Sequence, residues 1–432
     1  MRTRPDAGAE PEPETETETS EASVDAGRRR TITDGGLRSG LLYCLCVFLA
    51  LRLALSVVAL VGTALLPNAG ALPASVRIAA GIPGPVDVPG WPAHAVTPGF
   101  HNVWTAWERE DALWFLRIAT GGYANDDGSA AFFPLYPAAA RGVSSVIGGH
   151  PLAAGILVSN LSLLGALCVL YVLTRTELSE DTARRAVLYA AVFPTSFFFL
   201  APYSESTFLL LVLVCLWGAR RKRWWVAAAA GAAAALTRSL GLVLILPLAV
   251  EAFLQWRESG RRGVPVGGLL ASLGPPAGTL VYLAYWQHRT GDWLAPVHQQ
   301  AGWERKLTNP FSALWQGSAD AFHFTGLFPG GYHQLDWLIV APALVLAGYA
   351  LLRFRPTFGV YVWASLIPPL LLVFGGRPLM SMPRFLLVLF PLYWAAAEWT
   401  RNHPLRNELY VAGSSLLLGV LLVLFVSWYY VF

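Results

Sequence analysis

The sequence predicts an all-α polytopic membrane protein, and three observations carry that. Of 432 residues, 55% are hydrophobic and only 13% charged, about half the charge fraction of a soluble domain. The apolar residues gather into about eleven long runs. Seventeen Trp and fifteen Tyr suit a chain with two membrane–water interfaces, where amphipathic rings settle.

The elements follow in order. Residues 11–19 read PEPETETET, too polar to offset the entropy of ordering. Residues 1–38 are therefore expected to form a disordered cytoplasmic tail, ending in Arg28, Arg29, Arg30 and Arg38. The run 41–66 is too long for a signal peptide and reads as a retained anchor. Further spans are expected near 152–173, 186–200, 204–219, 224–236, 240–253, 264–286, 335–352, 358–374, 385–397 and 409–431. Several are shorter than a full crossing, and 224–253 also reads as one crossing plus an interfacial helix. Cys44, Cys46, Cys168 and Cys215 all lie inside apolar runs and read as small buried hydrophobes.

Charge sets the expected orientation. With the N-terminus inside, alternate loops hold Arg175, Arg184 and Arg185; Arg220, Arg221, Lys222 and Arg223; Arg257, Arg261 and Arg262; Arg353 and Arg355; and Arg401 and Arg406. That is the positive-inside bias, loop after loop. It requires that 132–147, with Arg141 in its middle, lie on the surface or re-enter. Two long segments, about 67–150 and 287–334, then fall outside. The net charge is only +4, with basic residues scattered between spans, so no nucleic-acid partner is expected.

The most informative stretch is 107–137, which groups Glu108, Glu110, Asp111, Asp126 and Asp127 between apolar runs. An unpaired buried carboxylate costs several kcal/mol or shifts its pKa, so the group points to a reaction centre. Apolar positions from Trp104 to Ala119 recur at three and four residues. They predict an interfacial helix over 104–123 that ends at Gly121-Gly122. The plain alternative is a solvated helix face, with Arg109 and Arg117 pairing the acids.

Glu110-Asp111-Ala112-Leu113-Trp114-Phe115-Leu116-Arg117-Ile118-Ala119, then Gly122-Tyr123, then Phe132-Phe133-Pro134 resembles the first luminal loop of the PIG-V-type mannosyltransferases. Pro202-Tyr203-Ser204-Glu205 and Thr237-Arg238-Ser239 follow in the same order, with a weaker match at Met382-Pro383-Arg384-Phe385. The chain departs from the family in having Glu110 where Trp usually precedes the Asp, which leaves two adjacent candidates for the base. The resemblance implies a GT-C-type bundle and one glycosyltransferase domain over 39–432. It also implies a polyprenyl-phosphate-linked sugar donor, usually mannose, and a lipid, glycan or protein acceptor on the external face.

On that reading Asp111 is the general base and Glu110 its neighbour in the catalytic pair. Arg109, Tyr123, Phe133, Tyr203, Glu205, Arg238 and Arg384 bind substrate. Arginine forks suit phosphate oxygens, so Arg238 and Arg384 are the candidates for the carrier phosphate. Arg238 also reads as a helix C-terminal residue held by the dipole, and Arg384 reads first as interface snorkelling. Glu205 either starts a helix or pairs with Arg238. Asp126 and Asp127 read first as a turn, with a divalent metal as the alternative use for the pair. The external histidines read as loop residues without metal-ligand spacing, so no cofactor or metal is expected. The rival class is a transporter or flippase of lipid-linked sugars. It would want ionisable groups near mid-span and inverted repeats, and the spans read as nearly free of charge.

Overall fold

The computed structural model describes residues 34–65, 102–300, 305–323, 332–429 and 431. The expectations for residues 1–33 and for the first long segment as far as residue 101 lie outside the described residues.

The fold is a helical bundle. Helix α1 (Asp34–Leu65) is followed by two short helices, α2 (Asp111–Gly121) and α3 (Leu135–Val146), then by α4 (Pro151–Glu177). Next come α5 (Glu180–Val192), α6 (Glu205–Arg220), α7 (Trp224–Thr237), α8 (Ile245–Glu258) and α9 (Gly274–Thr290). The second half holds α10 (Pro310–His323), α11 (Tyr332–Arg353), α12 (Pro356–Leu371), α13 (Met382–Leu386), α14 (Pro391–Thr400) and α15 (Pro404–Val426). Every apolar run expected from the sequence contains helix. Among the described residues, six helical stretches are long and apolar enough to cross a membrane: Gly36–Ala64, Pro151–Glu177, Ser239–Glu258, Val266–Thr290, Tyr332–Arg353 and Pro404–Val426. The chain is a multi-pass membrane protein.

Local chemistry explains the packing. Ser179 caps α5 by accepting a hydrogen bond from the Thr182 N–H at 3.1 Å, with Glu180 and Asp181 in its first turn. Helices α7 and α9 meet backbone to backbone. A Cβ at Gly274 or Gly278 would lie 2.3 or 2.2 Å from the carbonyl oxygens of Ala228 and Ala232. Small residues at four-residue spacing allow such approach in an apolar solvent. Gly155 lets α4 close on the 201–204 turn, since a Cβ there would sit 2.9 Å from Pro202.

The all-α expectation needs one correction. The run read as 358–374 ends as helix at Leu371, and its last three residues form β2 (Leu372–Phe374), antiparallel to β1 (Arg305–Leu307). Strands of three residues are too short to leave a periodic signal. The spans also carry two buried acids, Glu251 and Asp336. Glu251 bonds Arg220 and Arg355, both at 2.9 Å. Asp336 takes a two-pronged Arg377 at 2.6 and 2.7 Å. Each acid is paired, as burial in an apolar medium demands.

Candidate functional site

The helix expected over 104–123 is broken. A short turn at Asn102–Thr105 is followed by bends, and α2 starts at Asp111. The break is at Glu110, whose φ is 50°. Glu108, Arg109 and Glu110 are all buried, so they are not the solvated face of a surface helix. Arg109 bonds main-chain carbonyls, while the neighbouring Glu108 and Glu110 charges favour its charged form. Its Nε donates to the Val426 carbonyl at 3.0 Å, and its Nη1 to the Thr105 and Glu108 carbonyls at 2.6 and 3.0 Å. Burial pulls Arg109 down to about 10, which leaves it charged at neutral pH. It ties α15 to the first loop.

Asp111, the first residue of α2, takes a hydrogen bond from Nη1 of Arg384. Nε of Arg384 donates to Oε1 of Glu205, and Nη1 of Arg238 donates to the same oxygen. Arg238 Nη1 also reaches the Ser204 hydroxyl at 3.3 Å. Asp111, Arg384, Glu205 and Arg238 therefore form one continuous chain of alternating charge. Four segments far apart in sequence build it: the start of α2, the start of α6, the turn after α7, and α13, which supplies the bridge. Arg384 lies over the Tyr203 ring at 4.7 Å and the Phe198 ring at 5.2 Å. Tyr203 is fixed in turn, its hydroxyl donating to the Arg109 carbonyl at 2.9 Å.

The snorkelling reading of Arg384 does not hold. A snorkelling side chain puts its charge in water, whereas Arg384 exposes only 10% of its side chain and binds two carboxylates. Arg238 does stand at the end of α7, as the dipole reading has it, but its guanidinium is spent on Glu205. Ser204 makes no side-chain cap on α6. Its hydroxyl faces Arg238 instead, which favours the pairing reading of Glu205.

Other expected site residues lie elsewhere. Tyr123 and Phe133 belong to a separate aromatic cluster, in which Phe133 meets Tyr282 at 4.8 Å and Tyr123 meets Trp286 at 5.4 Å between ring centroids. The Tyr123 hydroxyl is bonded to the Phe132 carbonyl at 2.7 Å. The Asn125-Asp126-Asp127-Gly128 turn forms as expected: Asp127 accepts from Ser129 N–H and pairs with Arg117. His333 is not a loop residue. It is buried in the first turn of α11. The reading also missed the Arg377–Asp336 pair beside Glu110. An acid opening an apolar run was the available signal.

Glu110 stands apart from the ion chain. It is buried, and its Oε1 has no hydrogen-bond partner. Burial and the adjacent Asp111 charge push its carboxyl from the usual 4.5 up to about 8, against the pull of Arg384, the Val431 N–H and Arg377. At neutral pH Glu110 is therefore mostly protonated, and Asp111 does not face a second full charge. A raised folded-state pKa gives stability that is complete below 4.5 and lost as pH rises to 8. Glu110→Gln should remove that alkaline loss and change stability little in acid. Thermal melts on both sides of the transition, with wild type and variant losing stability equally, would sink the assignment.

The chain Asp111–Arg384–Glu205–Arg238 is thus a buried carboxylate–arginine site in a helical membrane bundle. The family model for mannosyltransferase (PIG-V) matches residues 47–254, just under half of the chain, and includes Asp111, Glu205 and Arg238. Over that segment the chain is similar to the PIG-V-type mannosyltransferases. No curated protein matches it. Two solved structures are similar to the chain. One is ArnT from Cupriavidus metallidurans bound to undecaprenyl phosphate, at 16% identity and a TM-score of 0.46, covering 78% of this chain and 71% of that one. The other is the Archaeoglobus fulgidus oligosaccharyltransferase in complex with zinc and sulfate, at 13% identity and a TM-score of 0.38, covering 76% of this chain and 49% of that one.

Proposed function

We propose that the protein transfers a mannosyl residue from a polyprenyl-phosphate-mannose donor to a lipid, glycan or protein acceptor on the external face. The supporting observation is the chain Asp111–Arg384–Glu205–Arg238, which gathers the separate family motifs into one site. The acceptor oxygen attacks the anomeric carbon, the bond from that carbon to the phosphate oxygen breaks, and the hydroxyl proton passes to Asp111. The donor is a phosphodiester with one negative charge, and the released monoester carries nearly two. Arg384 and Arg238, now neutralised by carboxylates, are placed to meet the added charge. The neutral Glu110 leaves its neighbour Asp111 as the stronger candidate for the base. Tyr203 sets the plane of Arg384.

The same reading takes residues 39–432 as one GT-C-type domain of about eleven spans, the N-terminus cytoplasmic and the first loop outside. The ion pairs support that orientation. Glu205 opens α6 and Arg220 closes it, so the two lie at opposite ends. Arg220 joins Glu177 and Glu251, and Arg355 joins Glu251 and Glu258. The arginine-rich loops thus meet at one end, and Asp111 and Arg238 at the other. The buried acids of the spans are locked in ion pairs, Glu251 in these and Asp336 with Arg377, which favours transfer over alternating-access transport. Incubating membranes that contain the protein with labelled polyprenyl-phosphate-mannose should place label on lipid, glycan or protein. Label that crosses the bilayer still attached to its carrier would support the flippase reading instead.

A further inference from the structure

A second feature lies at the same end of the bundle. A groove of about 730 Å³ runs between the β1–β2 pair and the start of α10, and Lys306, Leu307, Phe311, Ser312, Trp315 and Gly375 are among its lining residues. Its wall is the segment that leads to Arg384, since Val373 and Pro378 also line it. Helix α10 is fastened to that segment: a Cβ at Gly317 would sit 2.5 Å from the Leu379 side chain.

The rim has its polarity reversed. Helix α10 turns Ala313, Gly317, Asp320 and Ala321 inward. It leaves Phe311 80% and Trp315 78% exposed, with Leu307 beside them at 79%. These large apolar groups lie outside the candidate spans, between the ends of two of them. Left in water, a contiguous apolar rim of this kind is costly and marks a binding surface. A bilayer interface covers it, since aromatic rings settle there. The groove also holds a cation. Lys306 is exposed, and among the described residues it makes no ion pair with an acid. Ser312, in the first turn of the fourteen-residue α10, adds a hydroxyl and the favourable end of the helix dipole. An apolar rim around a cation and a helix N-terminus complements an amphiphile with an anionic head.

We propose that this groove binds the headgroup of a phosphomonoester lipid, the phosphate on Lys306 and Ser312 and the chain over Phe311 and Trp315. On the reading above, it is where the carrier monoester rests after leaving the arginines. That role rests on the transfer reading, whereas lipid binding does not and can be measured without turnover.

The test is native mass spectrometry of the full chain in non-ionic detergent, titrated with dioleoyl phosphatidic acid and, separately, with dioleoyl phosphatidylcholine. Lys306→Gln should weaken phosphatidic acid binding about fivefold, the worth of one lysine near an anionic surface. Trp315→Ala should weaken both lipids, and Lys222→Gln, at the opposite end of the bundle, should change neither. Both groove variants alter exposed side chains, so unchanged melting will show that the fold is kept. The proposal is overturned if phosphatidic acid binds both groove variants as it binds wild type. It is equally overturned if millimolar inorganic phosphate displaces the lipid completely, which marks a free-anion site, or if soluble methyl mannoside does so, which marks a glycan site.

Discussion

Asp111→Asn is expected to abolish transfer while leaving the protein in the membrane. The substitution is nearly isosteric, and the amide oxygen can still accept the hydrogen bond from Nη1 of Arg384. Arg384 also keeps its bond to Glu205, so no charge is stranded. The lost property is the ability to take a proton from the acceptor hydroxyl. General-base removal costs about 10²–10⁴-fold, and the loss should fall on kcat rather than on donor affinity. Turnover with labelled donor, measured beside membrane-inserted protein, reads this directly. If Asp111→Asn turns over normally and Glu110→Gln does not, the base is Glu110. If both variants keep their activity, this loop is not the reaction centre.

The parts of this site differ in how far a sequence can show them. Asp111, Glu205 and Arg238 stand out because each is a charge at the edge of an apolar run, where an unpaired group is costly. Their proximity is another matter: Arg384 binds acids 273 and 179 residues away. An arginine at a span end gives the same one-dimensional signal whether it snorkels or bridges two carboxylates. The first-loop helix failed for a local reason. The apolar period runs on through Glu108 to Glu110, but Glu110 takes a positive φ that propensity does not announce. Tyr123 and Phe133 carry the family motif, yet their rings pack with Tyr282 and Trp286 rather than with the ion chain. Helices, by contrast, were legible from apolar runs alone, because lipid leaves the backbone few other ways to satisfy its hydrogen bonds.

The bridging arginine gives the other large effect. Arg384→Ala should cost about 3–5 kcal/mol, as removing one partner from a buried ion pair does. It leaves Asp111 without its only ion-pair partner among the described residues and Glu205 with Arg238 alone. Loss of folded protein is therefore the expected result, and it cannot separate structure from chemistry. Arg384→Lys can. Lysine keeps the charge, but a single ammonium does not reproduce the guanidinium that reaches Glu205 through Nε and Asp111 through Nη1 at once. One charge-assisted bond is lost, so transfer should fall about 10–100-fold with insertion preserved. If Arg384 serves the carrier phosphate, the apparent donor requirement should rise while that for acceptor stays level. Arg238→Lys should shift the same parameter in the same direction, because Arg238 shares Oε1 of Glu205 with Arg384. A Lys variant with normal donor dependence but poor thermal stability would assign Arg384 to the scaffold and leave Arg238 alone with the phosphate.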